Sequence, residues 1–437
     1  MSLQPSLLPE TTRRLDVLAA DAQANGRAPS VVLGVVRDGR LAYVTGAGEH
    51  PLPDAGTQYR IGSISKTMTA TLVMRLRDEG RLTLDDLLYR HLPGTPVGSV
   101  TLRQLLGHAS GLQREPDSAG WWERTEGSDV ETLLAGLTPE KLAHPPHRTY
   151  HYSNLAYGLL GAVVERITGR PWVELLGEQI LGPLAMLRTT YNPTEPFAPG
   201  YVVHPLYGTL NEEPRTDTGA MAPAGQLWST VTDLARWAAF LAEPVPEVLA
   251  PETLAEMCVP VAINDPDTWS GGHGLGVELY RRGERVLVGH GGSMPGYVSI
   301  IAVHRPSRTG VVGYANAYGF PIGPLGFAAL TEVLDREPAP PAPWRPAAPP
   351  PPEAAELCGR WWWMGLPHDA VWEGDELVVT RLGRDPWRFT REGTDLWRCH
   401  SGANDGETLV VRRDQAGGVA ALDIATFIFT KDAGQLG

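Results

Sequence analysis

Lysine is almost missing from this 437-residue chain: of its 37 basic residues only Lys66, Lys141 and Lys431 are lysine. Cysteine is as scarce, with Cys258, Cys358 and Cys399 alone. Three thiols exclude a disulfide framework and fit a reducing compartment. Cys358 and Cys399 have the option of pairing, but two separately buried thiols are the simpler expectation. Positive charge is in deficit: the formal net charge is −13, which argues against nucleic acid or an anionic membrane as partner. No apolar run approaches the roughly 20 residues that span a bilayer. The opening stretch MSLQPSLLPETTRRLD lacks the basic start and apolar run of a signal peptide, so the expected location is cytoplasmic. Several catalytic signatures are missing too. No serine sits in G-x-S-x-G, and neither H-E-x-x-H nor C-x-x-C occurs. An α/β-hydrolase elbow is therefore unsupported, and neither a metal nor a cofactor is expected.

What remains reads as a globular protein, 42% apolar and 20% charged. The length is enough for one large core and a second, smaller one. EPAPPAPWRPAAPPPP, residues 337–352, cannot form a helix or a central strand and reads as a stiff, extended linker. It divides the chain into a domain at 1–336 and another at 353–437. The first opens with a helical stretch (Thr11 to Asn25), followed by two valine-rich runs around Asp38-Gly39, a strong hairpin signal. Near its end, RVLVGHGGSMPGYVSIIAVHRPSRTGVVGYANA predicts three more strands and FPIGPLGFAALTEVLDR a closing helix. From roughly Ser63 to Gly276 the signals are mostly helical, as in TLRQLLGH, LAYGLLGAVVERITG and STVTDLARWAAFLAE. The expected class is α+β: one antiparallel sheet built from both ends of the domain, flanked by helices, with a mostly helical insertion. The terminal segment has seven short apolar runs separated by Gly, Asp and Asn, which predict a small all-β barrel or sandwich. Its tryptophans, Trp361, Trp362, Trp363, Trp372, Trp387 and Trp397, are expected to fill that core.

The scarce lysine has a telling position. Lys66 lies three residues after Ser63, at the start of a helical pattern through Met68, Leu72, Val73 and Leu76. One turn apart on one helix face, the hydroxyl and the amine can touch. Arginine cannot give up its proton at useful pH, whereas a desolvated lysine can. A neutral amine beside a serine hydroxyl is the base that a serine nucleophile needs. The plainer alternative is a capping serine with a solvated lysine. A second element is Tyr152-Ser153-Asn154, ahead of an apolar helix. A tyrosine beside an ammonium can have a lowered pKa and shuttle protons. Asn154 can donate to a substrate carbonyl and bond the lysine; packed aromatic and helix cap are the plainer roles. The third is His290-Gly291-Gly292-Ser293 after a strand, where two glycines allow a ligand close to the backbone, or simply make a turn. His108, in GHASGL, is expected to be a buried structural histidine. Trp121-Trp122 reads equally as an apolar pocket wall or as surface packing.

Together the three elements resemble the serine β-lactamase and penicillin-binding protein superfamily, whose hallmarks are S-x-x-K, then Tyr-x-Asn, then Lys-Thr-Gly or His-x-Gly on a strand. VTLRQLLGHASGL, LGPLAMLRTTY and PAGQLWSTVTDLARW look like further stretches of it, so the resemblance covers about residues 10 to 336. Tyr-x-Asn with His-x-Gly is more similar to the class C-like branch, with its family VIII esterases, D-amino-acid amidases and D-aminopeptidases. The linker and terminal β segment resemble members carrying a lipocalin-like barrel. The resemblance implies that Ser63 is acylated, that Lys66 and Tyr152 divide the acid and base work in an order the sequence leaves open, and that Asn154 orients substrate. It further implies an oxyanion hole from the Ser63 and Ser293 N–H groups, with His290, Gly291 and Gly292 lining the pocket. Where relatives carry a lysine to hold a substrate carboxylate, this chain has His290, largely neutral near pH 7. Poor turnover of β-lactams is expected, with neutral esters, or amides and peptides with a free amino end, as better substrates. The competing expectation is a non-catalytic relative that binds peptide or cell-wall fragments. The oligomeric state is not set by the sequence.

Overall fold

The computed structural model describes residues 7–117, 121–337, 346 and 348–434. Most of the expected linker lies outside the described residues. The chain divides into two compact units, Met1–Ala339 and Pro340–Gly437.

The first unit is built on an eight-stranded antiparallel sheet. Its strands are β1 (Ser30–Arg37), β2 (Arg40–Gly48), β3 (Ala262–Ile263), β4 (Gly271–His273), β5 (Glu278–Arg282), β6 (Arg285–Met294), β7 (Tyr297–His304) and β8 (Thr309–Ala315), in the order β2-β1-β8-β7-β6-β5-β4-β3. The β1–β2 turn has Asp38 and Gly39 both at positive φ (50° and 73°), which suits the twist of a two-residue hairpin. β1 is buried on both faces, so its SVVLGVVR run is almost continuously apolar rather than alternating. Val31, Leu33 and Val35 face α1 (Pro9–Gly26) and a C-terminal helix, α5 (Ile322–Arg336). Val32 and Val36 point the other way, into the larger core shared with α2 (Ser65–Asp78), α3 (Asn154–Thr168) and α4 (Val231–Ala242). The helices begin where their caps dictate: Ser153 accepts from the Ala156 N–H, and Thr230 from the Asp233 N–H. The expectation of a mostly helical stretch up to Gly276 misses β3 and β4, and β5 follows it unannounced. These strands, at one side of the sheet, have two to five residues, too few to carry a period.

The second unit is a closed eight-stranded antiparallel barrel: β9 (Gly359–Trp363), β10 (Leu366–Glu373), β11 (Glu376–Thr380), β12 (Trp387–Arg391), β13 (Leu396–Cys399), β14 (Thr408–Arg413), β15 (Val419–Ile424) and β16 (Phe427–Thr430). The run ALDIATFIFT is two strands, not one. It turns at Ala425-Thr426, both at positive φ, with no glycine to announce the turn. Of the six tryptophans, only Trp361 and Trp397 are fully buried; Trp363, Trp372 and Trp387 pack partly exposed against the core, and Trp362 is half-buried. The barrel interior is filled instead by smaller residues, among them Leu377, Phe389 and Leu409. All three cysteines are free thiols. Among the described residues no helix is long and apolar enough to cross a membrane.

Candidate active site

Ser63 does not open the helix itself. It sits in a single 3₁₀ turn, Gly62–Ile64, that feeds α2. The turn rests directly on β6. Gly62 has φ +52°, and a Cβ there would stand 2.6 Å from the Ser293 nitrogen. A Cβ on Gly292 would stand 2.0 Å from the Ile61 carbonyl oxygen and 2.2 Å from Ser299 Oγ. Ser299 Oγ in turn donates to that carbonyl at 2.8 Å. Only glycine at these positions lets the two backbones approach so closely, and the contact brings the Ser63 and Ser293 backbones together. Gly292→Ala is expected to cost about 1–3 kcal/mol and to lower turnover with it, read from urea midpoints and initial rates; an unchanged midpoint would contradict the packing described.

Lys66 follows on the first turn of α2 and is fully buried. Its Nζ donates to Ser63 Oγ at 2.9 Å and to the Ala224 carbonyl at 2.6 Å. Burial pulls its pKa down from 10.5 to about 7, against the pull of Glu115 and Glu278, which favour the ammonium. The amine is therefore substantially neutral at physiological pH. The Tyr152 phenol also hydrogen-bonds Ser63, but burial and the Glu278 charge push its pKa well above 10. The sequence-based expectation of a lowered tyrosine pKa is thus corrected: desolvation outweighs the neighbouring amine. The Tyr152 ring lies between Arg114, 5.2 Å from its centroid, and His108, 4.3 Å ring to ring. His108 is buried, and its Nδ1 accepts the Ser153 N–H.

Asn154 begins α3 and donates to Glu115 Oε1, while its Oδ1 has no partner. One of its amide hydrogens is taken by the Glu115 carboxylate, and its free oxygen is an acceptor. Burial raises the Glu115 pKa.

Ser63, Tyr152, Asn154, His290 and the Gly291-Gly292-Ser293 run line one open cleft of about 470 Å³. Lys66 lies beneath it. His290 is buried and largely neutral, its pKa lowered by desolvation. Trp122 lines the cleft as well, whereas the Trp121 side chain lies outside the described residues. The cleft also holds residues the motifs did not point to: Arg114, Tyr150 and Glu278. Glu278 left no signal of its own. It pairs with Gly289, the residue before His290, across the β5–β6 hairpin. Its Oε2 accepts the Gly291 N–H at 3.1 Å. Arg114 and Glu115 sit in an irregular loop and left no periodic trace.

The geometry offers a serine hydroxyl hydrogen-bonded to an amine whose charge burial disfavours and to a protonated phenol, beside backbone that two glycines hold close, in a cleft lined by Glu278 and Arg114. A family model described as Beta-lactamase matches residues 15–335, and one described as a Domain of unknown function (DUF7586) matches residues 350–431. The chain is 29% identical over 294 residues to Beta-lactamase-like protein 2 of Dictyostelium discoideum, spanning 63% of this chain and 52% of that protein. It is 31% identical over 235 residues to the D-alanyl-D-alanine-carboxypeptidase/endopeptidase AmpH of Escherichia coli (strain K12), spanning 52% and 59%. The matched regions thus cover between half and two thirds of those relatives. A solved D-stereospecific amidohydrolase from Streptomyces sp. superposes with a TM-score of 0.64 at 27% identity, over 75% of this chain and 99% of that one. The octameric penicillin-binding protein homologue from Pyrococcus abyssi superposes at 0.65 over 96% of this chain and 100% of that one; at 23% identity it speaks to fold alone.

Proposed function

The chain belongs to the β-lactamase family of hydrolases, and on that premise we propose that it is a serine hydrolase that cleaves amides or short peptides of D-amino acids with a free amino group. The observation that carries the reading is the 2.9 Å contact between Ser63 Oγ and a fully buried Lys66 whose pKa is brought to about 7. Lys66 takes the Ser63 proton as Oγ attacks the substrate carbonyl carbon. The Ser63 and Ser293 N–H groups hold the tetrahedral oxyanion, a contribution typically worth a few kcal/mol of barrier. Collapse of that intermediate breaks the C–N bond. Tyr152, still a phenol, gives the departing amine its proton and recovers one from the Lys66 ammonium. Water then repeats the sequence on the acyl-enzyme, releasing the acid and restoring Ser63.

Substrate class is argued from charge. Glu278 and the Glu115–Asn154 pair put acceptors at the cleft, His290 supplies no fixed positive charge, and the one guanidinium lining the cleft among the described residues, Arg114, lies over the Tyr152 ring. Asn154 Oδ1 and a carboxylate together suit an α-ammonium. The name of one relative, a D-stereospecific amidohydrolase, fits that reading; the carboxypeptidase name of another supports only the D-peptide part of it. The test is kcat/KM for D- and L-alanine p-nitroanilide, each free and N-acetylated. A preference for D of tenfold or more, with a comparable loss on acetylation, is expected. Equal rates for all four would contradict the assignment, and no turnover of any, with p-nitrophenyl esters cleaved, would favour a simple esterase.

A further inference from the structure

At the wall of the cleft lies a cluster that shares Glu278 and His290 with it and adds the buried His273, which takes no part in the proposed chemistry. Three adjacent strands bring His273 (β4), Glu278 (β5) and His290 (β6) together. Their ligand atoms all lie within 4.8 Å of one another. His273 pairs directly with Glu278 across the β4–β5 ladder.

The hydrogen bonding around this cluster is unusual for a protein interior. Both nitrogens of the buried His273 ring lack a partner, and so does His290 Nε2. Buried polar atoms are normally satisfied, and each exception asks for a cause. His290 shows what the cause is. Its Nδ1 lies 2.5 Å from the Gly291 carbonyl oxygen. A carbonyl only accepts, so Nδ1 carries the proton and Nε2 presents a bare lone pair. A histidine whose other N–H is tied to a backbone carbonyl is the arrangement that orients a metal-binding imidazole. Glu278 is held in the same way: Oε2 accepts from the Gly291 N–H and from the Tyr280 hydroxyl.

We propose that His273, Glu278 and His290 form a binding site for one divalent transition-metal ion, with zinc the best fit. Two imidazoles and a carboxylate are a suitable donor set, leaving a fourth position open toward the cleft. Bond lengths of about 2.0–2.2 Å require the three donor atoms to close in by rotation of their side chains. Sequence patterns for zinc miss the site because its ligands come from three strands rather than from one helix or a paired-cysteine loop. Glu278 and His290 also line the cleft. A bound ion therefore lies at its wall, and zinc acts as an inhibitor that chelation reverses.

The test uses tag-free, full-length Ser63→Ala protein, so that it does not depend on turnover or on the nucleophile. Titration with zinc by calorimetry should give one ion per chain, and cobalt should give the visible absorption of a four-coordinate centre. His273→Ala and Glu278→Gln, each added to Ser63→Ala, should weaken zinc binding at least tenfold. Because those variants are open to folding defects, zinc-edge anomalous diffraction from the unsubstituted ligand set is the second measurement. A peak between His273, Glu278 and His290 supports the site. No binding, binding unaffected by both substitutions, or a peak elsewhere overturns it.

Discussion

Lys66→Met is expected to abolish turnover and, at the same time, to stabilise the fold. The amine is fully buried and its pKa falls from 10.5 to about 7. Converted at 1.36 kcal/mol per pKa unit, that difference is a cost on the order of 5 kcal/mol at neutral pH and below. Methionine fills much the same volume without charge. It leaves the Ala224 carbonyl without its donor, which costs about 1–3 kcal/mol. Repacking offsets part of the remainder, so a net gain of about 1–3 kcal/mol and a rise of a few degrees in Tm are expected. The pH dependence has a definite sign. Between about pH 7 and 10.5 the unfolded chain holds the Lys66 proton and the folded chain does not. The wild type therefore gains stability from this group as pH rises through that window. The advantage of the variant is largest at pH 7 and below and closes toward pH 10.5. Wild-type acylation should rise through about pH 7 and level off, because only the neutral amine accepts the Ser63 proton. Thermal melts of both proteins from pH 6 to 10, with single-turnover rates, check both limbs. A destabilised Lys66→Met would mean that the lysine is held as a well-compensated ion pair.

Tyr152→Phe should separate substrates by leaving group. The phenol is kept protonated by burial and by the Glu278 charge, so its work is to deliver a proton to the departing atom. An amide nitrogen cannot leave without one, whereas p-nitrophenolate can. Losing a positioned acid typically costs 10²- to 10⁴-fold. The amide kcat/KM is expected to fall by about that factor, and the p-nitrophenyl ester kcat/KM by no more than about tenfold. Equal losses on both would assign Tyr152 to the attack step and displace Lys66 as the base.

Much of this site was legible because its chemistry sits on sharply punctuated elements. Ser63 and Lys66 are one turn apart at the mouth of a helix. Ser153 caps α3 just beyond Tyr152, and His290-Gly291-Gly292 follows an apolar run, although it lies inside β6 rather than after a strand. Each is fixed by contacts only a few residues away in sequence, so spacing alone carries the information. Glu278, His273, Arg114 and Glu115 are placed by tertiary register or by irregular loops, which leave no period to read. Two properties could not be read for the same reason. The Tyr152 pKa depends on how deeply the ring is enclosed, and the Asn154 hydrogen bonds depend on Glu115 lying opposite. In the barrel, the alternating strands announced themselves. The turn at Ala425-Thr426 did not, because the residues that adopt positive φ there are ones that seldom do.

The central claim is that Ser63 is the group that becomes acylated. Intact mass after incubation with a fluorophosphonate tests it on the full-length wild type and on Ser63→Ala, with circular dichroism to establish that both are folded. One adduct on the wild type and none on Ser63→Ala is the predicted result. An unmodified wild type, or an adduct that persists in Ser63→Ala, would contradict the account and leave a binding protein as the better description.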